Sequence, residues 1–180
     1  MWRKTLLFPL AVCLFTFTVV TAQAAGAIQG WGRVNMQGAI IDTACAIAVE
    51  SRDQTIDMEV VPLADIIRDG QGKIKPFAIE LVNCTFERAN NTLPDWKHFQ
   101  VTFDGDAEGG LFGVRGDASG IALQISDAAG NIATPGNPLP RGDIIPGTMR
   151  LDYHLKLVAN RHALKAGDYF SAIRFKLDYF

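Results

Sequence analysis

His98, His154 and His162 are the side chains best suited to acid–base or metal chemistry, and they are scattered along the sequence. None has a Cys, Asp or Glu at a spacing that would build a zinc site. His154 lies on the polar phase of its run, opposite to Tyr153 and Leu155. Asp104-Gly105-Asp106-Ala107-Glu108-Gly109 opens like a calcium loop. The position that should supply the bidentate Glu is Arg115, so metal binding is not expected. No Gly-x-Ser-x-Gly elbow and no phosphate-binding loop appears. Arg141-Gly142-Asp143 spells an integrin-type tripeptide within a Pro-rich connection, where turn chemistry explains it better than recognition does. The remaining carboxylates sit on turns and outward positions, as solvated surface. These residues point away from an enzyme, a cofactor and a small-molecule substrate.

Cysteine chemistry is more informative, and it depends on the N-terminus. Arg3 and Lys4 precede an apolar stretch, Leu6 to Val20, and Ala22-Gln23-Ala24 gives the small-x-small pattern of a signal-peptidase site. Residues 1–24 therefore read as a signal peptide, too short for a comfortable membrane span. Cys13 leaves with it. Cys45 and Cys84 remain, and two cysteines in an exported chain imply one disulfide, expected to tie the first strand to the third. No Cys-x-x-Cys redox pair is present. Two of the 17 basic residues and none of the 19 acidic ones leave with the signal, so the exported chain is mildly acidic. That balance argues against a nucleic-acid surface. Residues 25–180 have the length of one domain.

The elements that must position these groups read as strands. Apolar residues recur at period two in Arg33–Ile41, Thr55–Val61, Phe77–Cys84, Phe99–Phe103, Ile121–Ile125, Leu151–Leu157 and Tyr169–Tyr179. Gly-, Asn- and Asp-rich turns separate them. Pro62 to Ile67 offers one helical turn. Seven short strands without helical crossovers predict an all-β antiparallel sandwich. Its ends do not match. The last run has no following strand to pair with, while Ala25 to Trp31 offers alternating small and apolar residues with no partner of its own. β-augmentation between chains would satisfy both.

At this point the sequence resembles the pilin subunits of chaperone–usher pili, over the whole exported chain. The N-terminal match is Gly30-Trp31-Gly32-Arg33-Val34-Asn35-Met36-Gln37-Gly38 followed by Ile40, Asp42 and Cys45. The second cysteine closes Phe77-Ala78-Ile79-Glu80-Leu81-Val82-Asn83-Cys84. Gly167 is fourteenth from the end and Tyr179 penultimate, as in the family. Several internal segments, among them Val101–Gly105 and Gly120–Ile125, look closest to minor subunits of the P-pilus type, including its terminator. The resemblance implies an incomplete immunoglobulin-like sandwich that lacks its last strand and is completed by a strand from another protein.

It also implies roles. Residues 25–32, with Ala27, Ile28, Gly30, Trp31 and Gly32, would form a donor-strand extension, and residues 33–180 the pilin domain. Gly167, Tyr169, Ile173, Phe175, Leu177, Tyr179 and Phe180 would form the edge that binds a periplasmic chaperone and later a neighbouring subunit. The chaperone's basic cleft would hold the Phe180 carboxylate, and at an outer-membrane usher the extension of another subunit would replace the chaperone strand. Gly30 would cross a tight part of the neighbour's groove. The expected role is a shaft subunit of a cell-surface fimbrium serving adhesion, or else a terminating subunit. A self-contained periplasmic binding sandwich is the remaining alternative; purified without a chaperone, it would be monomeric where a pilin aggregates or polymerises.

Overall fold

The computed structural model describes Gly30, residues 32–38 and residues 40–180. The chain divides into two units, Met1–Ala39 and Ile40–Phe180. In the first, Gly30 and residues 32–38 carry no helix or strand and are exposed. Val34 and Met36 are 81% and 92% exposed. The strand expected over 33–41 is therefore absent among the described residues. Alternation prepares a segment for a sheet, but a strand forms only where a ladder exists to pair with it. The expected signal peptide and Ala27, Ile28 and Trp31 lie outside the described residues.

The second unit begins with Ala46–Ile47 (β1) and the single turn Val49–Arg52 (α1), then Leu63–Asp69 (α2). Pro62 precedes α2 and Gly70 ends it at φ 69°, where its N–H donates to the Ile66 carbonyl at 2.9 Å. The helical turn expected from Pro62 is thus present. Lys75–Cys84 (β2), His98–Asp104 (β3), Ala107–Glu108 (β4), Leu111–Phe112 (β5), Arg115–Gly116 (β6), Ile121–Asp127 (β7), Gly142–Asp143 (β8), Gly147–Ala159 (β9), Tyr169–Phe170 (β10) and Arg174–Tyr179 (β11) follow.

One sheet has the order β1-β2-β9-β7-β5-β4, a second β11-β3-β8, and a two-stranded ribbon joins β10 to β6. Every named strand pair is antiparallel. Ile79, Leu81, Leu123, Ile125, Tyr153 and Leu155 from the first sheet meet Phe99, Val101 and Phe103 from the second in one apolar core. Phe103 stands edge-on to Tyr153 and Phe77, at 5.0 and 6.2 Å between ring centres. This is the all-β sandwich that the period-two runs predict.

Cys45 and Cys84 are bonded. Their strands are neighbours, since Ala46 pairs with Val82. The bond therefore staples the start of β1 to the end of β2 and does not skip over a strand. The intervening run, Thr55–Val61, carries no helix or strand and belongs to no sheet. Asn83 turns at φ 55° within the register shift that ends β2, a conformation Asn tolerates.

Candidate functional site: an apolar groove beside an unpaired strand edge

β11 pairs with β3 from Arg174↔Asp104 to Tyr179↔Phe99. Among the described residues nothing pairs with its other edge. The start of that edge, Arg174 and Phe175, lines a groove of about 1290 Å³. One lip is the run Gln54–Val61, and the other is Lys165–Phe175. The floor is core: Phe77, Phe103, Ile121, Leu123, Ile125, Leu155 and Leu157. All of these but the half-buried Phe77 are buried, so the groove is floored by core side chains with an open slot above them.

The first lip is held from below. Gln54 Nε2 donates to the Ala78 carbonyl at 2.9 Å and to the Ser51 carbonyl at 3.3 Å. Ser51 is buried, and its Oγ accepts the Glu80 N–H at 3.0 Å. Ile56 and Met58 turn toward the core, while Val60 is 99% exposed. Lys75 and Lys73 bind Glu59 at 2.9 and 3.3 Å and hold its carboxyl below the usual range. Sequence periodicity located Ile56 and Met58 but took them for a paired strand. The break in phase at Val60-Val61 was the available sign that this run leaves the sheet.

The second lip carries four of the expected edge residues, Gly167, Tyr169, Ile173 and Phe175. Gly167 is there for close approach: a Cβ on it would meet Ala118 N and Asp117 C at 2.7 Å. Its segment is tied to that backbone, since Asp117 N and Ala118 N both donate to the Asp168 carbonyl, at 2.9 and 3.1 Å. The Tyr169 hydroxyl is buried without a hydrogen-bond partner among the described residues, and burial, then Asp57, pushes its pKa up. Leu177 and Tyr179 continue the same face of β11 but lie past the groove wall, packed on the core. Tyr179 stands edge-on to Trp96, its hydroxyl donates to the Cys45 carbonyl at 3.4 Å, and burial lifts its pKa to about 12. Phe180 is partly exposed under the Arg141 guanidinium, 4.5 Å from its ring centre. Gly30 and Gly32 of the expected donor segment are exposed and unpaired.

The other polar motifs have local partners. Gly142 and Asp143 form β8 on β3, and the Asp143 carboxylate meets His98 Nδ1 at 2.9 Å, so the Arg-Gly-Asp tripeptide is not a free loop. Arg115 grips Asp106 through two hydrogen bonds, at 2.6 and 3.0 Å, and holds that carboxyl below its usual range. The groove has no nucleophile–base pair. It offers a row of backbone N–H and C=O groups above an apolar trough, which suits an extended peptide.

Comparison with known proteins gives the family and the fold. The chain is 37% identical over 150 residues to the PRS fimbrial minor pilin protein of Escherichia coli, covering 82% of this chain and 77% of that one. It is 33% identical over 165 residues to the Fimbria A protein of Serratia marcescens, covering 89% and 91%. The chain belongs to the fimbrial pilin family. No family model matches it. The fold of this pilin matches the P pilus rod subunit PapA, with a TM-score of 0.68 at 20% identity over 77% of this chain and 100% of that one. It also matches a subunit in a chaperone–usher pilus structure, with a TM-score of 0.69 at 24% identity over 87% and 100%. This pilin is therefore a structural subunit of a fimbria and not an enzyme.

Proposed function

We propose that this pilin assembles by exchanging strands: it receives one in the groove beside β11 and gives one from its N-terminal extension. The observation that carries the reading is the unpaired edge of β11, whose start borders a groove floored by core side chains. The donor begins with residues 25–32. Ile28, Gly30 and Gly32 are in phase with the exposed Val34 and Met36, while Arg33, Asn35 and Gln37 take the other face. From Gly32 to Gln37 one face is thus small and apolar and the other polar, while Ala27 and Trp31 fall on the second face further up the segment. Before assembly a periplasmic chaperone lends the missing strand along residues 167–180. At the outer-membrane usher the extension of the next pilin replaces it, and the subunit passes to the cell surface. Better packing in the final ladder supplies the free energy.

A second reading is favoured by the naming of relatives as minor pilins: the subunit gives a strand but receives none, and so terminates the fibre. One experiment separates the two. A synthetic peptide copying residues 25–36 is mixed with the chaperone-bound subunit, and release of chaperone is followed. Release is the expected result for a shaft subunit. Retention, with the subunit's own extension still inserting into a partner, identifies a terminator. Failure of both the groove and the extension to exchange refutes the proposal.

A further inference from the structure

The two ends of the sandwich carry exposed apolar residues, one set beyond the groove and the other on its rim. At one end, backbone hydrogen bonds gather the loop after β2 and the end of β11. Trp96 N donates to the Phe86 carbonyl, Lys97 N to the Phe180 carbonyl and Ile144 N to the Lys97 carbonyl. Phe86, Leu93, Ile145 and Phe180 are exposed there by 42%, 45%, 62% and 42%. Arg141 lies over Phe180, and among the described residues Lys97 has no ion-pair partner. The chain enters the body at this same end, where Thr85 N donates to the Ala44 carbonyl. At the other end, around the mouth of the groove, Val60, Ile67 and Phe170 are exposed by 99%, 66% and 64%. Asp57 and Asp168 stand beside them without an ion-pair partner among the described residues.

Strand direction brings these ends together. An inserted donor that pairs antiparallel to β11, as every strand pair here does, runs from the Phe180 end of its host toward the Phe170 end. It leaves the host at the groove mouth. Only residues 37–43 then separate Met36 from Ala44, a reach of at most about 28 Å. The donor's body must sit close to the host's groove mouth, with the end that carries Ala44 turned toward it.

We propose that Phe86, Leu93, Ile145 and Phe180 of one copy dock on Val60, Ile67 and Phe170 of the next, with Lys97 and Arg141 facing Asp57 and Asp168. The occupant of each patch is thus a second copy of this chain. The contact is head-to-tail and uses two different surfaces, so it propagates as a filament and does not close into a dimer. The strand acts as a tether that raises the local concentration of a patch too small to associate alone. The inference rests on the strand-exchange reading and adds a rigid contact to it.

The test uses polymers of the exported full-length chain. Leu93→Cys and Ile67→Cys are introduced together and treated with a short bis-maleimide. Cross-linked ladders are expected in the double variant and not in either single variant. A second preparation carries Phe86→Asp with Leu93→Asp, and its fibres are imaged. They should still form but bend more, with a severalfold shorter persistence length. Polymers that form without cross-linking, or charged-variant fibres as stiff as the parent, overturn the end-to-end contact and leave strand exchange standing. A parent chain that does not polymerise overturns both.

Discussion

Gly167→Ala is the smallest change that probes the architecture of the groove wall. The added methyl would sit 2.7 Å from Ala118 N and from Asp117 C, and 2.8 Å from Asp117 Cβ. Two of these atoms are backbone and cannot swing away. Gly167 does not occupy the left-handed region, so the whole effect comes from packing. Relief requires residues 165–168 to move off residues 117–118, which stretches the bonds from Asp117 N and Ala118 N to the Asp168 carbonyl. Overpacking of this kind costs about 1–3 kcal/mol, in line with two hydrogen bonds worth about 0.5–1.5 kcal/mol each. For a body of this size that is a drop in Tm of roughly 2–10 °C. Urea unfolding can be followed through the buried Trp96, reading the midpoint at unchanged slope. Gly32→Ala, with nothing within 4 Å of its added methyl, should leave the midpoint where it is. A Gly167→Ala midpoint equal to the parent's would refute the close-approach argument.

Other expectations follow from the core, the staple and the tyrosines. Cys84→Ser removes a bond spanning 39 residues and should cost about 3–4 kcal/mol in urea unfolding under non-reducing conditions. Phe103→Ala, in the floor of the groove, should cost about 3–5 kcal/mol and weaken capture of any donor strand. Tyr179 titrates near 12 in the folded protein against 10.0 in a free side chain, and Tyr153 and Tyr169 are also shifted upward by burial. Their neutral forms favour the fold, so stability should hold below pH 10 and fall as pH rises from there toward 12, measured as a declining urea midpoint. Gly30→Arg should leave the subunit folded but stop its extension from entering a partner, seen as loss of polymer with the subunit still present.

The core strands were legible because their apolar residues alternate and stay alternating once packed. Phe77, Ile79 and Leu81, and likewise Tyr153, Leu155 and Leu157, are buried or half-buried at the period-two positions from which they were read. Thr55–Val61 shows why two other runs were not. Ile56 and Met58 keep the strand pattern, yet no strand among the described residues pairs with this run, so the same alternation produces a lip and not a strand. Periodicity reports which face a residue prefers and is silent on whether a ladder is available. The site was half legible for that reason. Tyr169, Ile173 and Phe175 were legible from alternation and Gly167 only from the resemblance to pilins, and all four line the groove, whereas the opposite lip, the buried Ser51 beneath it and the Gln54 anchor rest on contacts between residues 51–54 and β2 that no local pattern encodes. The short strands β4, β5, β6 and β8 are two residues each and leave no periodic trace.

Hydrogen exchange along β11 tests the central claim most directly. The exported protein is incubated with a peptide copying residues 25–38, and amide protection is compared with and without it. Strand insertion predicts slowed exchange at alternate amides within Arg174–Tyr179, the ones that face away from β3, and along the lip Gln54–Val61. Unchanged exchange at those amides while the peptide is bound would place the peptide elsewhere and contradict the account.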